Sequence, residues 1–227
     1  MDSRQGRYRW IGGLILAQLI CGILVNFFLT APLFGTPGFL VNGAQHSQQI
    51  GFAVLVGLVT GMLTLAVAIT LYPLAKPQWP TLTRWFVVLS VISFTVSVME
   101  NISLMSLVSY SEAYTTASPE QQPLYELFKT VVASTRNWTH YIGLMLSGTM
   151  LLFLYLLLFR SRMIPRLLAV FGMLAVSAQL VAVAMPLFGL AIVFALIAPL
   201  ALSQLMLALW ILMKGLTLKA ANQPSLC

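Results

Sequence analysis

Residues 167–213 read LLAVFGMLAVSAQLVAVAMPLFGLAIVFALIAPLALSQLMLALWILM, 47 positions without one charged side chain. As a single helix this run would reach about 70 Å, more than twice the roughly 30 Å of a bilayer's hydrocarbon core. It therefore has to fold back on itself. The segment MPLFGL supplies the break, since Pro186 interrupts the helical hydrogen-bond ladder and Gly189 permits a turn. Two spans follow, at about 166–187 and 190–213.

The same length criterion of roughly 20 apolar residues selects four more spans upstream, at about 10–31, 51–73, 85–110 and 137–159. Across the 227 residues, 59% are hydrophobic and 7% charged, whereas a soluble domain carries roughly a quarter charged residues. So few charges cannot solvate a water-facing surface. The reading is one all-α domain over residues 1–227, a polytopic transmembrane bundle of six helices. The first apolar run follows Arg4, Arg7 and Arg9, but at about 20 residues it exceeds the 7–15 of a signal peptide. An uncleaved first span is expected.

The formal charge of +7 comes from 12 Lys and Arg, which lie in short groups between apolar runs. That placement is topogenic, and no basic stripe exists to track a phosphate backbone, so nucleic acid is not expected as a partner. With the N-terminus cytoplasmic, Arg4, Arg7, Arg9, Lys76, Arg84, Arg160, Arg162, Arg166, Lys214 and Lys219 lie inside. Lys129 and Arg136 lie outside, with Glu112, Glu120 and Glu126. The positive-inside rule then predicts both termini in the cytoplasm. Cys21 and Cys227 are read as free thiols.

The sizeable polar segment, residues 111–136, joins spans three and four. Ser118 as N-cap, Pro119 at the first helical position and Gln121 three residues on predict a helix start. Leu124, Leu127, Phe128, Val131 and Val132 then recur at helical spacing, so an amphipathic helix on the outer face is expected. Gly57 with Gly61, and Gly143 with Ser147, are small-residue pairs of the kind that let membrane helices approach closely.

Within the third span the stretch VSVMENISL (96–104) places Glu100 and Asn101 in an apolar run. Ionisable groups at such depth are costly, and they face a protein interior or a water-filled cavity. Counted from Arg84, Glu100 lies about 24 Å along the helix, in the outer half. Ser90, Ser93, Ser97, Glu100 and Asn101 fall within an arc of roughly 100°. On the fourth span Arg136, His140, Gly143 and Ser147 follow i, i+4, i+7, i+11 spacing. Facing stripes would bring Glu100 to Arg136 and His140, with Asn26 and Gln179 at comparable depth. The six residues Glu100, Asn101, Arg136, His140, Asn26 and Gln179 form the candidate ligand-binding or buried polar set. It serves either as a lock holding the helices together or as a site. No metal or other cofactor is expected: His46, His140 and the two cysteines do not make a zinc set. No H-E-x-x-H, G-x-S-x-G or glycine-rich phosphate loop occurs.

RWIGGL (9–14), LYPLAK (71–76), Arg136-Asn137-Trp138, LYLLLFRSRMIPRLLAVFGML (154–174) and IAPLALSQLMLALWILMKGL (197–216) together resemble a bacterial membrane family known as domain of unknown function 4386. The resemblance covers nearly the whole chain. It implies a six-helix protein of the bacterial inner membrane, and it leaves the activity open. Within the family pattern Glu100 and Arg136 resemble a recurrent membrane-embedded acid and its outer-side base. Gln204 stands where relatives commonly carry an acid.

Three functions are compatible with these residues. The first is a non-catalytic lipid- or small-molecule-binding protein or accessory membrane subunit. The second is a small solute or proton-coupled transporter using Glu100. The third is an intramembrane enzyme on a lipid-like substrate, with Glu100 and His140 as acid and base. The expected partners are membrane lipids, together with a membrane-protein partner or a second copy of the chain.

Overall fold

The computed structural model describes residues 8–217; Arg4, Arg7, Lys219 and Cys227 lie outside them. The described residues form helices and connecting turns. α1 (Arg9–Ile23) continues as a wider π-helical segment (Leu24–Leu29), and α2 (Ala31–Phe34), α3 (Phe39–Gln45), α4 (Ser47–Ala75) and α5 (Pro80–Thr116) follow. α6 (Gln122–Ser161) and α7 (Arg166–Ala184) come next, then two short 3-10 turns (Met185–Phe188 and Phe194–Leu196) and α8 (Ala198–Lys214). Six of these helical stretches are long and apolar enough to cross a membrane. The protein is a multi-pass membrane protein with an all-α six-helix bundle.

The helix ends follow the local chemistry. Pro80 opens α5 and Pro123 opens α6, each in a first turn whose N–H groups need no helical partner. Arg162 adopts a left-handed conformation (φ 55°) that closes α6. At the break inside the uncharged run, the chain leaves Met185–Phe188 through Gly189 at φ 73°, a backbone state that costs a side-chain-bearing residue much more than glycine.

Two expected boundaries move. The sixth span starts not at 190 but at Phe194, with one 3-10 turn leading into α8 at Ala198, because the left-handed Gly189 leaves 190–193 non-helical and Pro199 sits in the first turn of α8. The helix expected between spans three and four starts at Gln122 rather than at Ser118. Residues 118–121 instead close a turn in which Gln121 and Gln122 N–H donate to the Ser118 carbonyl at 2.9 and 3.1 Å. Ser118 N–H in turn donates to Gln121 Oε1 at 3.3 Å. That helix runs unbroken into the fourth span as one 40-residue rod. Between the first two spans, most of the connection 32–50 is helical. Asn42 Nδ2 donates to the Pro32 and Gly35 carbonyls, both at 2.9 Å, and Ser111 Oγ donates to the Leu40 carbonyl at 2.8 Å while accepting from Ala44 N–H at 2.7 Å. These bonds pin α3 onto the far end of α5.

The helices form a ring in chain order: α1 packs on α4, α4 on α5, α5 on α6, α6 on α7, α7 on α8, and α8 returns to α1. Gly12 makes the closing contact, since a Cβ there would stand 2.6 Å from both the Ala208 carbonyl oxygen and the Leu212 nitrogen. Arg160 lies over Trp79, and Thr217 N–H donates to the Met163 carbonyl. The start of α5, the α6–α7 turn and the end of α8 therefore share one end of the ring, hereafter the basic end.

Packing is uneven along the ring axis. The large core near the basic end gathers Ile11, Ile15, Leu71, Phe86, Leu154, Tyr155, Leu158, Leu207 and Ile211. At the opposite end a small cluster of Leu33, Ile50, Leu104, Leu107 and Val108 joins α2, α4 and α5. Between them the helices are looser. No residue is fully buried from 16 to 29 in α1 and its π-helical extension, from 94 to 103 in α5, or from 122 to 147 in α6.

Candidate functional site

The loose belt contains the candidate site. Ser90 and Ser93 are buried on α5, and Glu100 follows on the same face, about three turns beyond Ser90 and two beyond Ser93. Gly143 of α6 stands opposite, where a Cβ would lie 3.5 Å from Glu100 Oε2, so the missing side chain makes room for the carboxylate. Gly57 of α4 does the same for Asn101: a Cβ there would come within 2.9 Å of Asn101 Oδ1. The small-residue positions thus bring α4 and α6 against the two polar residues of α5.

His140 Nδ1 donates to Glu100 Oε1 at 2.6 Å. Arg136, one turn away on α6, places Nη2 3.9 Å from the same oxygen. One carboxylate oxygen therefore meets both partners, with imidazole at hydrogen-bond distance and guanidinium at the limit of an ion pair. The guanidinium also lies over the Phe34 ring at 4.6 Å, within cation–π range. Side-chain exposure is 27% for Glu100, 20% for His140 and 11% for Arg136, so the cluster is not sealed.

Two donors at the site are unused. Arg136 Nε and Asn101 Nδ2 are buried without a hydrogen-bond partner. Each such orphan costs about 1–3 kcal/mol unless something supplies an acceptor. Ser93 Oγ and Gln179 Oε1 are likewise buried and unpaired.

Of the six sequence candidates, Glu100, Arg136 and His140 come together and Asn101 is adjacent in chain. Gln179 is buried on α7 and reaches the Leu144 carbonyl of α6 at 3.5 Å, with no bond to Glu100. Asn26 is exposed, and its Nδ2 donates to the Gly22 carbonyl at 2.9 Å. The π-helical segment explains the difference: its i→i+5 bonding slips the helical phase, so the face of Asn26 does not follow from regular periodicity. Phe34 was not among the candidates. An aromatic residue at the end of an apolar run carries no signal that a guanidinium will stack on it.

The family model described as Domain of unknown function (DUF4386) matches residues 10–215. The chain belongs to this family. No curated protein and no solved structure matches it. In this DUF4386 member, Gln204 lies apart from the Glu100 cluster. It lines a cavity of about 10 Å³ together with Gln18 and Thr64, deep between α1, α4, α6 and α8, a space sufficient for about one water molecule. Among the described residues no group of His, Cys, Asp and Glu has the makings of a metal site.

Proposed function

We propose that the protein is a membrane-embedded binding protein whose Glu100–His140–Arg136 cluster takes the polar end of a small amphiphilic molecule bearing hydrogen-bond acceptors. The observation that carries this reading is the half-open ion-pair cluster with unused donors, Arg136 Nε and Asn101 Nδ2, beside it. A charge pair facing hydrocarbon is costly, so its exposed part calls for water or a polar group. Exposed apolar side chains at the same depth, Met99, Ile102 and Ile142, would lie against the remainder of the ligand. The orientation that accompanies this reading puts the basic end, both termini included, in the cytoplasm of a bacterial inner membrane. The site then opens toward the outer leaflet.

The test is mass spectrometry of small molecules that co-purify with the full chain in mild detergent, run beside Glu100→Gln and Arg136→Gln. A species carried by the natural sequence and lost from both variants, at unchanged helicity, supports binding. Identical cargo in all three, with only a lower melting temperature in the variants, overturns it and leaves a polar lock. The short Glu100–His140 contact favours a second reading, proton-coupled transport, because the two groups could exchange one proton. Proton flux into liposomes that vanishes in Glu100→Gln would select it.

A further inference from the structure

At the basic end, away from the Glu100 cluster and independent of its reading, a pocket of about 360 Å³ lies where α5 begins and α6 ends. Trp79, Thr81, Trp85, Leu156 and Arg160 are among the residues that line it. We infer that this pocket is a binding site for the headgroup and glycerol region of an anionic phospholipid.

Among the described residues, this end carries Arg9, Lys76, Arg84, Arg160, Arg162, Arg166 and Lys214 and no Asp or Glu. Arg160 makes no ion pair among the described residues; its guanidinium rests 5.5 Å over the Trp79 ring. An Arg stacked in this way keeps its N–H fork free, and that fork matches phosphate oxygens two at a time. The missing counter-charge therefore has to come from outside the described chain, and the membrane surface holds it as anionic headgroups.

The walls choose between sources of phosphate. Trp85 and Leu156 are apolar, and Trp85 packs against Phe153 at 6.5 Å between ring centroids. A free phosphate would leave that wall uncovered, whereas a lipid lays the start of its acyl chains along it. Tryptophan is also the side chain most suited to the headgroup level, with an apolar ring and one N–H donor. The volume falls in the range of small-ligand sites, about 300–1,000 Å³.

The experiment uses the delipidated full-length protein, titrated with phosphatidylglycerol or phosphatidylcholine and read by native mass spectrometry. Phosphatidylglycerol is expected to bind in preference to phosphatidylcholine. Arg160→Gln is expected to weaken its first binding step about fivefold. Lys214→Gln removes the same charge at the same end but away from the pocket, and should change that step less than about twofold. Trp85→Ala is expected to weaken binding with no change in charge. If Arg160→Gln does not fold, Arg160→Lys keeps the charge and loses the fork, and an intermediate loss is expected. Equal loss in the Arg160 and Lys214 variants would mean diffuse attraction, not a site. Displacement of phosphatidylglycerol by millimolar inorganic phosphate would assign the pocket to free anions. Either result overturns the proposal.

Discussion

Gly172 and Gly51 look alike in the sequence, each a glycine in an apolar span, and the structure separates them. Tyr155 is fully buried, donates to Ser203 Oγ at 3.2 Å, and lays its ring so close to Gly172 that a Cβ there would stand 2.1 Å from Cε1. Gly172→Ala must push the ring aside and break that hydrogen bond. The expected loss is about 3 kcal/mol, the upper end of overpacking costs, read as a lower midpoint of thermal unfolding in detergent. At Gly51 of α4 a Cβ meets nothing within 4 Å. Gly51→Ala should raise the midpoint, gaining roughly 0.5–1 kcal/mol from reduced backbone entropy in a helix. If the two variants shift the midpoint in the same direction, the packing described for Tyr155 fails. Which glycine matters is a tertiary fact, invisible in the sequence. The cluster of Glu100, Arg136 and His140 was legible because ionisable groups in an apolar run stand out, and i, i+4 spacing assigns them a face. Asn26 was not, since the π-helical phase slip leaves no mark in residue type.

Because α6 is one rod from Gln122 to Ser161, its register can be tested directly. Inserting one alanine after Arg136 turns everything before it by about 100° relative to His140. Arg136 then leaves Glu100, and Val132 leaves the cluster of Leu33, Ile50, Leu104, Leu107 and Val108 that it packs against. His140 keeps its contact. Inserting four alanines turns the same segment by about 400°, within about 40° of its starting face. The single insertion should therefore lower the melting temperature more than the fourfold one, although it adds less chain. The fourfold insertion also shifts the segment about 6 Å along the axis, so equal effects from both insertions would show that position along α6, and not the face it presents, is what counts. At this scale the sequence signalled which segments were helices and missed some of their ends. Of the two prolines flanking Gln121, Pro119 falls in a turn and Pro123 in the first helical turn. Only the bonds made by Ser118 decide between them.

The ring as a whole is tight near the basic end and loose in the belt around Glu100, and what fills that looseness decides between the readings of the site. Lipid would press hydrocarbon against a carboxylate, an imidazole and a guanidinium, all partly exposed. A water-filled crevice would solvate them at much lower cost. A cysteine scan distinguishes the two in a Cys21→Ser, Cys227→Ser background. Ser97 lies about one turn from Glu100 toward the basic end and is half-buried, while Ser90 lies about two turns farther and is fully buried. Maleimides react with thiolate, which needs water. Ser97→Cys is therefore expected to react with a charged, membrane-impermeant maleimide added on the Glu100 side, and Ser90→Cys to stay silent from either side. The side from which Ser97→Cys reacts also tests the orientation argued from the basic end. If Ser97→Cys reacts with neither the charged reagent nor an apolar, membrane-permeant one in the membrane, yet reacts once the protein is unfolded in detergent, lipid fills the belt. The Glu100 cluster then has no aqueous approach, transport loses its route, and the contact with His140 and Arg136 has only the helices to hold together.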